Sequence, residues 1–240
     1  TLADLGVTLT PDGGRLRVWS AHADTIELVL FDDDDPNWIT ETLQLAPVGG
    51  GVFEASTPLL QVGTRYAVRV GGPLSPHNTF NDRRMLLEPY SRGLVPVGGD
   101  EWRSVVVDNA FEWDGVGKPG GPLDRTVIYE GHLKGMGKRH PGVPEALRGT
   151  YAGLAHPAML DELRSLGVTS VELLPVHAFT SEQRLIKQGL SNYWGYNTLN
   201  FFTPHAAYAT KGSQASGPSE VLREFKGMVK SMHEAGIEVI

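Results

Sequence analysis

The sequence predicts a chain of two parts, an antiparallel β-sandwich followed by the opening of a parallel α/β fold. Three observations lead there. From residue 15 to about residue 108 the chain is a series of short runs rich in branched and aromatic residues, separated by turn signals. A Gly/Pro-rich stretch, "FEWDGVGKPGGPLDR", then breaks the pattern. Beyond it, apolar strand-like runs alternate with amphipathic helix-like ones, the order that builds a parallel sheet.

The first part, residues 1–110, contains the runs "RLRVWS", "TIELVLF", "GVFEAS", "RYAVRV" and "SVVVD". "PDGG", "PVGGG", "VGGP" and "PVGGD" separate them, which suits a sandwich of roughly 100 residues. The acidic run Asp32, Asp33, Asp34 and Asp35 reads as a solvated hairpin tip rather than a calcium site, because adjacent carboxylates converge only in a dedicated loop. Trp19 lies in an alternating run and reads as core.

Residues 111–125 read as a linker and residues 126–240 as the second part. "TVIYEGH" is a strand. "HPAMLDELRSLG" is a helix with Met159, Leu160, Leu163 and Leu166 on one face and Gly167 at its stop. "VTSVELLP" is nearly all apolar, as in a strand buried on both faces. "PSEVLREFKGMVKSMHEAG" is a second helix, with Val221, Leu222, Phe225, Met228, Val229 and Met232 along one stripe. "IEVI" is a third strand. The order βαβ, long loop, αβ begins either an α/β barrel or a doubly wound sheet. Ending on Ile240, inside an apolar strand, leads to the expectation that the chain is a piece of a longer protein.

Composition narrows the function. The 240 residues carry a formal charge of −7, which argues against nucleic acid and anionic membranes as partners. There is no cysteine, so no disulfide framework or thiolate metal site, and no run of about 18 apolar residues. The N-terminus lacks the basic-then-apolar pattern of a signal peptide.

The informative segment is the long connection at residues 176–217, and within it "LSNYWGYNTLNFFTPHAAYATKG". It shows neither strand alternation nor helical repeat, yet it holds Tyr193, Trp194, Tyr196, Phe201, Phe202 and Tyr208. In parallel α/β folds such connections project onto the binding face. Aromatic rings lie flat on the apolar faces of sugar rings, and Asn192, Asn197, Asn200, His177 and His205 are nearby partners for hydroxyls. Phe201 and Phe202 read as packing. On composition alone Glu130, His132 and His177, at strand ends, look like a tunable acid and base, although a strand-end Glu more often holds a neighbouring loop. Glu172 reads as paired inside the core.

"RGTYAGL", "VELLPVH" and "YWGYN" occur together, in order, in residues 126–240, and "LRVWSAHADTIELVLFD" precedes them. In this combination the chain resembles the α-amylase superfamily of glycoside hydrolases, and within it bacterial glycogen-debranching enzymes of the isoamylase type. The resemblance implies a carbohydrate-binding-type sandwich, then the first three strands of a TIM (β/α)8 barrel, truncated. It implies retaining hydrolysis of α-1,6 branch linkages, with α-glucan such as glycogen or limit dextrin as partner, no cofactor, no metal and a cytoplasmic location. Retaining chemistry needs two carboxylates about 5 Å apart. In the family these follow later barrel strands, so the resemblance implies no catalytic residue in this chain. It implies substrate binding by Tyr196, whose ring stacks under the sugar, with Trp194 and Asn197 shaping the wall and His177 at the exit of the second strand. A branching enzyme, a trehalose-releasing hydrolase and a non-catalytic glucan-binding protein are the alternatives.

Overall fold

Short strands, some with side chains alternating inward and outward, build the first half of the molecule. The computed structural model describes residues 4–240. Contacts divide the chain into two units, one running to Asp108 and including Asn200–Thr203, the other made of Asn109–Leu199 and Pro204–Ile240. The first unit holds β1 (Gly6–Thr10), β2 (Gly13–Trp19), β3 (Thr25–Phe31), β4 (Ile39–Gln44), β5 (Ala46–Gly49), β6 (Val52–Thr57), β7 (Arg65–Gly71), β8 (Leu94–Gly98) and β9 (Glu101–Val105). They form two antiparallel sheets, ordered β1-β2-β6-β5 and β4-β3-β7-β9-β8. Leu16 and Val18 of β2, Ile26, Leu28 and Leu30 of β3, Phe53 of β6 and Tyr66, Val68 and Val70 of β7 meet in the core between them.

The same alternation corrects the reading of Trp19. Leu16 and Val18 point inward, so Trp19, one residue on, falls on the outer face and is 51% exposed. Its indole N–H is tied to the Gly50 carbonyl at 3.1 Å. At the tip between β3 and β4 the Asp32 carboxylate accepts the Asp34 and Asp35 amides at 2.8 and 3.0 Å, a self-contained turn.

Among the described residues of this unit Glu88 is the one carboxyl held fully inside. It accepts the Tyr90 amide at 2.8 Å and faces the Tyr66 hydroxyl at 3.4 Å, and its own amide donates to Ser104 Oγ at 3.1 Å. Burial pushes its pKa up to about 7, with the Tyr90 amide, the Tyr66 hydroxyl and Arg92 opposing. Asn200 belongs to the same neighbourhood. Its amide nitrogen donates to the Glu88 and Pro89 carbonyls at 3.0 and 3.1 Å, and its oxygen accepts the Phe202 and Thr203 amides. Phe202 stacks on Tyr90, ring centres 5.0 Å apart.

The second unit holds β10 (Ile128–Gly131), α1 (Leu133–Gly137), α2 (Tyr151–Leu154), α3 (Pro157–Ser165), β11 (Ser170–Leu173), β12 (His177–Phe179), α4 (Gln183–Lys187), the two ends of β13 (Thr198–Pro204), whose Asn200–Thr203 belong to the first unit, α5 (Lys211–Ser216), α6 (Pro218–Glu234) and β14 (Glu238–Val239). Strands β10, β11 and β14 lie parallel in that order. Met159, Leu160 and Leu163 of α3 and Val221, Met228 and Met232 of α6 are buried in one core with Val171 of β11. Leu166, expected on the α3 face, instead caps the helix and is exposed. In the turn "RGTYAGL" Thr150 Oγ1 caps α2 by accepting the Gly153 amide. A Cβ on Gly153 would sit 2.0 Å from the Leu147 carbonyl oxygen, so that position has room only for glycine.

Residues 111–125 are not a bare connector. Lys226 of α6 donates to the carbonyl and side-chain oxygens of Asn109, and Lys230 to the Glu112 carbonyl and the Asp114 carboxylate. The stretch therefore groups with the second unit. The long connection also differs from expectation, because it carries its own structure: β12, α4, β13 and α5. Its backbone groups pair locally where a structureless loop of that length would leave them to water. Glu172 is exposed rather than core-paired, in register with exposed Glu130 of β10.

Because Glu88 binds its proton more tightly when folded, its contribution to stability is complete below pH 4.5 and is lost as pH rises through about 7. Glu88→Gln is expected to flatten stability between pH 5 and 8 and to stabilise the first unit at pH 8 by on the order of 3 kcal/mol. Denaturant unfolding at both pH values checks this; a variant with the wild-type pH slope contradicts it.

Candidate aromatic binding site

The site is built on β12 and the loop that follows it. Phe179 ends β12. Its ring is buried and stacks on His205, centres 3.8 Å apart. Beneath it the Tyr151 hydroxyl donates toward the Val176 and His205 carbonyls, each at 3.0 Å, which fixes both chain segments. Burial pushes Tyr151 well above the usual phenol range, so it stays a donor.

The loop returns to this shelf through Asn192 and Gly195. The Asn192 amide donates to Ser181 Oγ at 2.9 Å, its side-chain nitrogen to the Glu182 carboxylate, and its side-chain oxygen accepts the Gly195 amide at 2.8 Å. Gly195 is buried with φ +87°, and a Cβ there would lie 3.0 Å from two Phe179 ring carbons and from Pro175 Cβ. Its backbone is therefore the inward contact of the loop. The flanking side chains are left outside: Tyr193 is 51% exposed, Trp194 63% and Tyr196 67%.

Other expected hydroxyl partners are already committed. Asn197 Nδ2 donates to the Thr180 carbonyl at 3.1 Å, which holds the wall in shape. Asn192 and Asn200 have the loop and sandwich bonds given above, and Asn200 is buried in the first unit. His177 lies 2.9 Å from Thr198 Oγ1, and burial lowers its pKa. Burial, helped by His177 and Lys134, pushes His205 down to about 4, so it packs as a neutral ring. Phe201 is exposed. His132 is already engaged: its Nε2 lies 2.7 Å from the Tyr193 carbonyl and 3.1 Å from the Tyr208 hydroxyl, and its Nδ1 accepts the Gly135 amide.

The sequence pattern missed Phe179 as the shelf and the stack of His132 on Tyr193, ring centres 4.1 Å apart. The one available signal was a glycine between two aromatics in "WGY". Among the described residues no group of three or more His, Asp or Glu side chains is arranged to hold a metal. What the site offers is flat apolar ring surface beside neutral imidazole and phenol groups, which suits an uncharged ligand with apolar faces.

Residues 4–91 match the family described as Carbohydrate-binding module 48 (Isoamylase N-terminal domain). Over 98% of its length the chain is 40% identical to a glycogen operon protein GlgX homolog of Mycobacterium bovis, of which it covers 36%. Over 95% it is 40% identical to a glycogen debranching enzyme of Yersinia enterocolitica, of which it covers 37%. The chain thus spans little more than a third of these curated relatives. A crystal structure of a Paenibacillus barengoltzii pullulanase mutant complexed with maltotriose shares the fold, with a TM-score of 0.74, 24% identity, and coverage of 98% of this chain and 37% of that one.

Gly195→Ala is expected to unseat the loop, since a left-handed φ with a side chain costs about 1–2 kcal/mol before the clash with Phe179 is added. Limited proteolysis within residues 190–197 should quicken. Wild-type cleavage rates in the variant would show that Gly195 does not hold the rings outward.

Proposed function

We propose that this chain forms the substrate-facing entry portion of an α-glucan debranching hydrolase, one that cleaves α-1,6 branch linkages of glycogen or limit dextrin with retention. On this reading β10, β11 and β14 are the first three strands of a (β/α)8 barrel, and their sequential parallel order supports it. The catalytic carboxylates belong to later strands that this chain does not contain. Tyr196 stacks under the glucose at the cleavage point, Trp194 and Asn197 form the wall beside it, and His177 bonds a hydroxyl at the second strand's exit. The sandwich is a glucan-contacting module, in keeping with its family match. The enzyme needs no cofactor and works in the cytoplasm.

The observation that carries the proposal is the exposure of Tyr193, Trp194 and Tyr196 around a buried glycine, in a chain 40% identical to relatives named for glycogen debranching. Contiguous exposed apolar patches commonly mark ligand-binding surfaces, and these three rings lie within four consecutive residues. The product of the reaction distinguishes the neighbours of this reading. Linear chains released from amylopectin mean debranching, new branches mean transfer, and binding without turnover means a non-catalytic glucan protein.

In the full natural chain Tyr196→Ala is expected to lower kcat/KM on branched glucan by roughly 10- to 100-fold, the equivalent of the 1–3 kcal/mol that a stacked ring contributes. The melting temperature should hold, because the ring is largely in solvent. Unchanged kinetics would remove Tyr196 from the site.

A further inference from the structure

Three aromatic rings on one tetrapeptide make a platform only if their backbone keeps one position. Asn192 and Gly195 anchor its far side. The near side, at Tyr193, is held by His132. The partners of this imidazole define its hydrogen. Nδ1 lies 3.1 Å from the Gly135 amide, a pure donor, so Nδ1 carries the lone pair. Nε2 lies 2.7 Å from the Tyr193 carbonyl, a pure acceptor, so Nε2 carries the hydrogen. The Tyr208 hydroxyl, 3.1 Å away, then accepts from the same Nε2–H. The imidazole also stacks on the Tyr193 ring, interplanar angle 9°, and meets the Tyr208 ring edge-on. Backbone, ring and tautomer of one side chain thus converge on the first residue of the platform.

Resting on the debranching reading, we infer that His132 is a positioning residue: through Tyr193 it sets where Trp194 and Tyr196 meet the glucan. It touches no reacting atom. Its location explains why a histidine stands two residues past the end of a strand carboxylate without working as its proton partner. A merely structural role would end at the cap of α1, where Nδ1 accepts the Gly135 amide. The Nε2 contact runs instead to a residue 61 positions away in sequence.

Two substitutions separate the two ends of the ring. His132→Asn keeps an acceptor for the Gly135 amide and loses reach to Tyr193. His132→Gln places an amide N–H near the position of Nε2. Amide hydrogen exchange of residues 193–197 in the full natural chain, without glucan, is the first readout. Exchange is expected to quicken roughly fivefold in His132→Asn and His132→Ala, and to return most of the way to wild type in His132→Gln. On branched glucan, kcat/KM is expected to fall about tenfold or more in His132→Asn, with recovery in His132→Gln. Wild-type exchange in His132→Asn, or a His132→Gln no better than His132→Ala, overturns the inference. If wild type releases no linear chains while exchange behaves as described, the debranching reading fails and the placement of the rings by His132 stands.

Discussion

Two large rings flanking one residue stay in solvent only when that residue turns inward, and here Gly195 does so. Its backbone lies against Phe179 and Pro175, with φ +87° and so little space that a Cβ there would lie 3.0 Å from both. Trp194 and Tyr196 consequently have no core to enter. The shelf under the glycine depends in turn on Tyr151, whose hydroxyl fixes the Val176 and His205 carbonyls, and on His205, which fills the space over Phe179 as an uncharged ring. Each layer explains the one above it. A buried phenol fixes two segments, those segments place a buried ring, and against that ring glycine takes its left-handed φ without strain.

Polar side chains around the platform serve geometry before recognition. Asn192 and Asn197 look alike in the sequence, yet each is committed to a different backbone. The amide side chain can both donate and accept, so it satisfies turns that otherwise leave buried groups unpaired. His132 and His177 likewise have defined partners. What is left for a ligand is mainly ring surface, and this suits a neutral saccharide better than a charged molecule.

Much of the architecture was legible because it follows period. Alternation in β2, the apolar runs of β3 and β7 and the apolar stripes of α3 and α6 gave element type and core together. Trp19 shows the limit, since its aromatic character suggested burial while its parity with Val18 put it outside. β13 was not visible in "TLNFFTP" because Phe201 and Phe202 stand side by side, so its two faces are not sorted by polarity. Glu172 appeared core-bound because its neighbours are apolar, and its exposure depends on which strands lie beside it. The expectation that Tyr196 and Trp194 meet a ligand came from family resemblance, and the structure leaves both rings in solvent. The contacts that hold them come from residues distant in sequence, Phe179, His132 and Tyr151, which no local pattern connects.

A crystal structure of the full natural chain with a bound branched malto-oligosaccharide tests the central claim most directly. The account predicts the Tyr196 ring parallel to a glucose face, carbon to carbon about 4 Å apart, with Gly195 still seated on Phe179. A saccharide bound in the cleft with Tyr196 turned away from every sugar ring would contradict it.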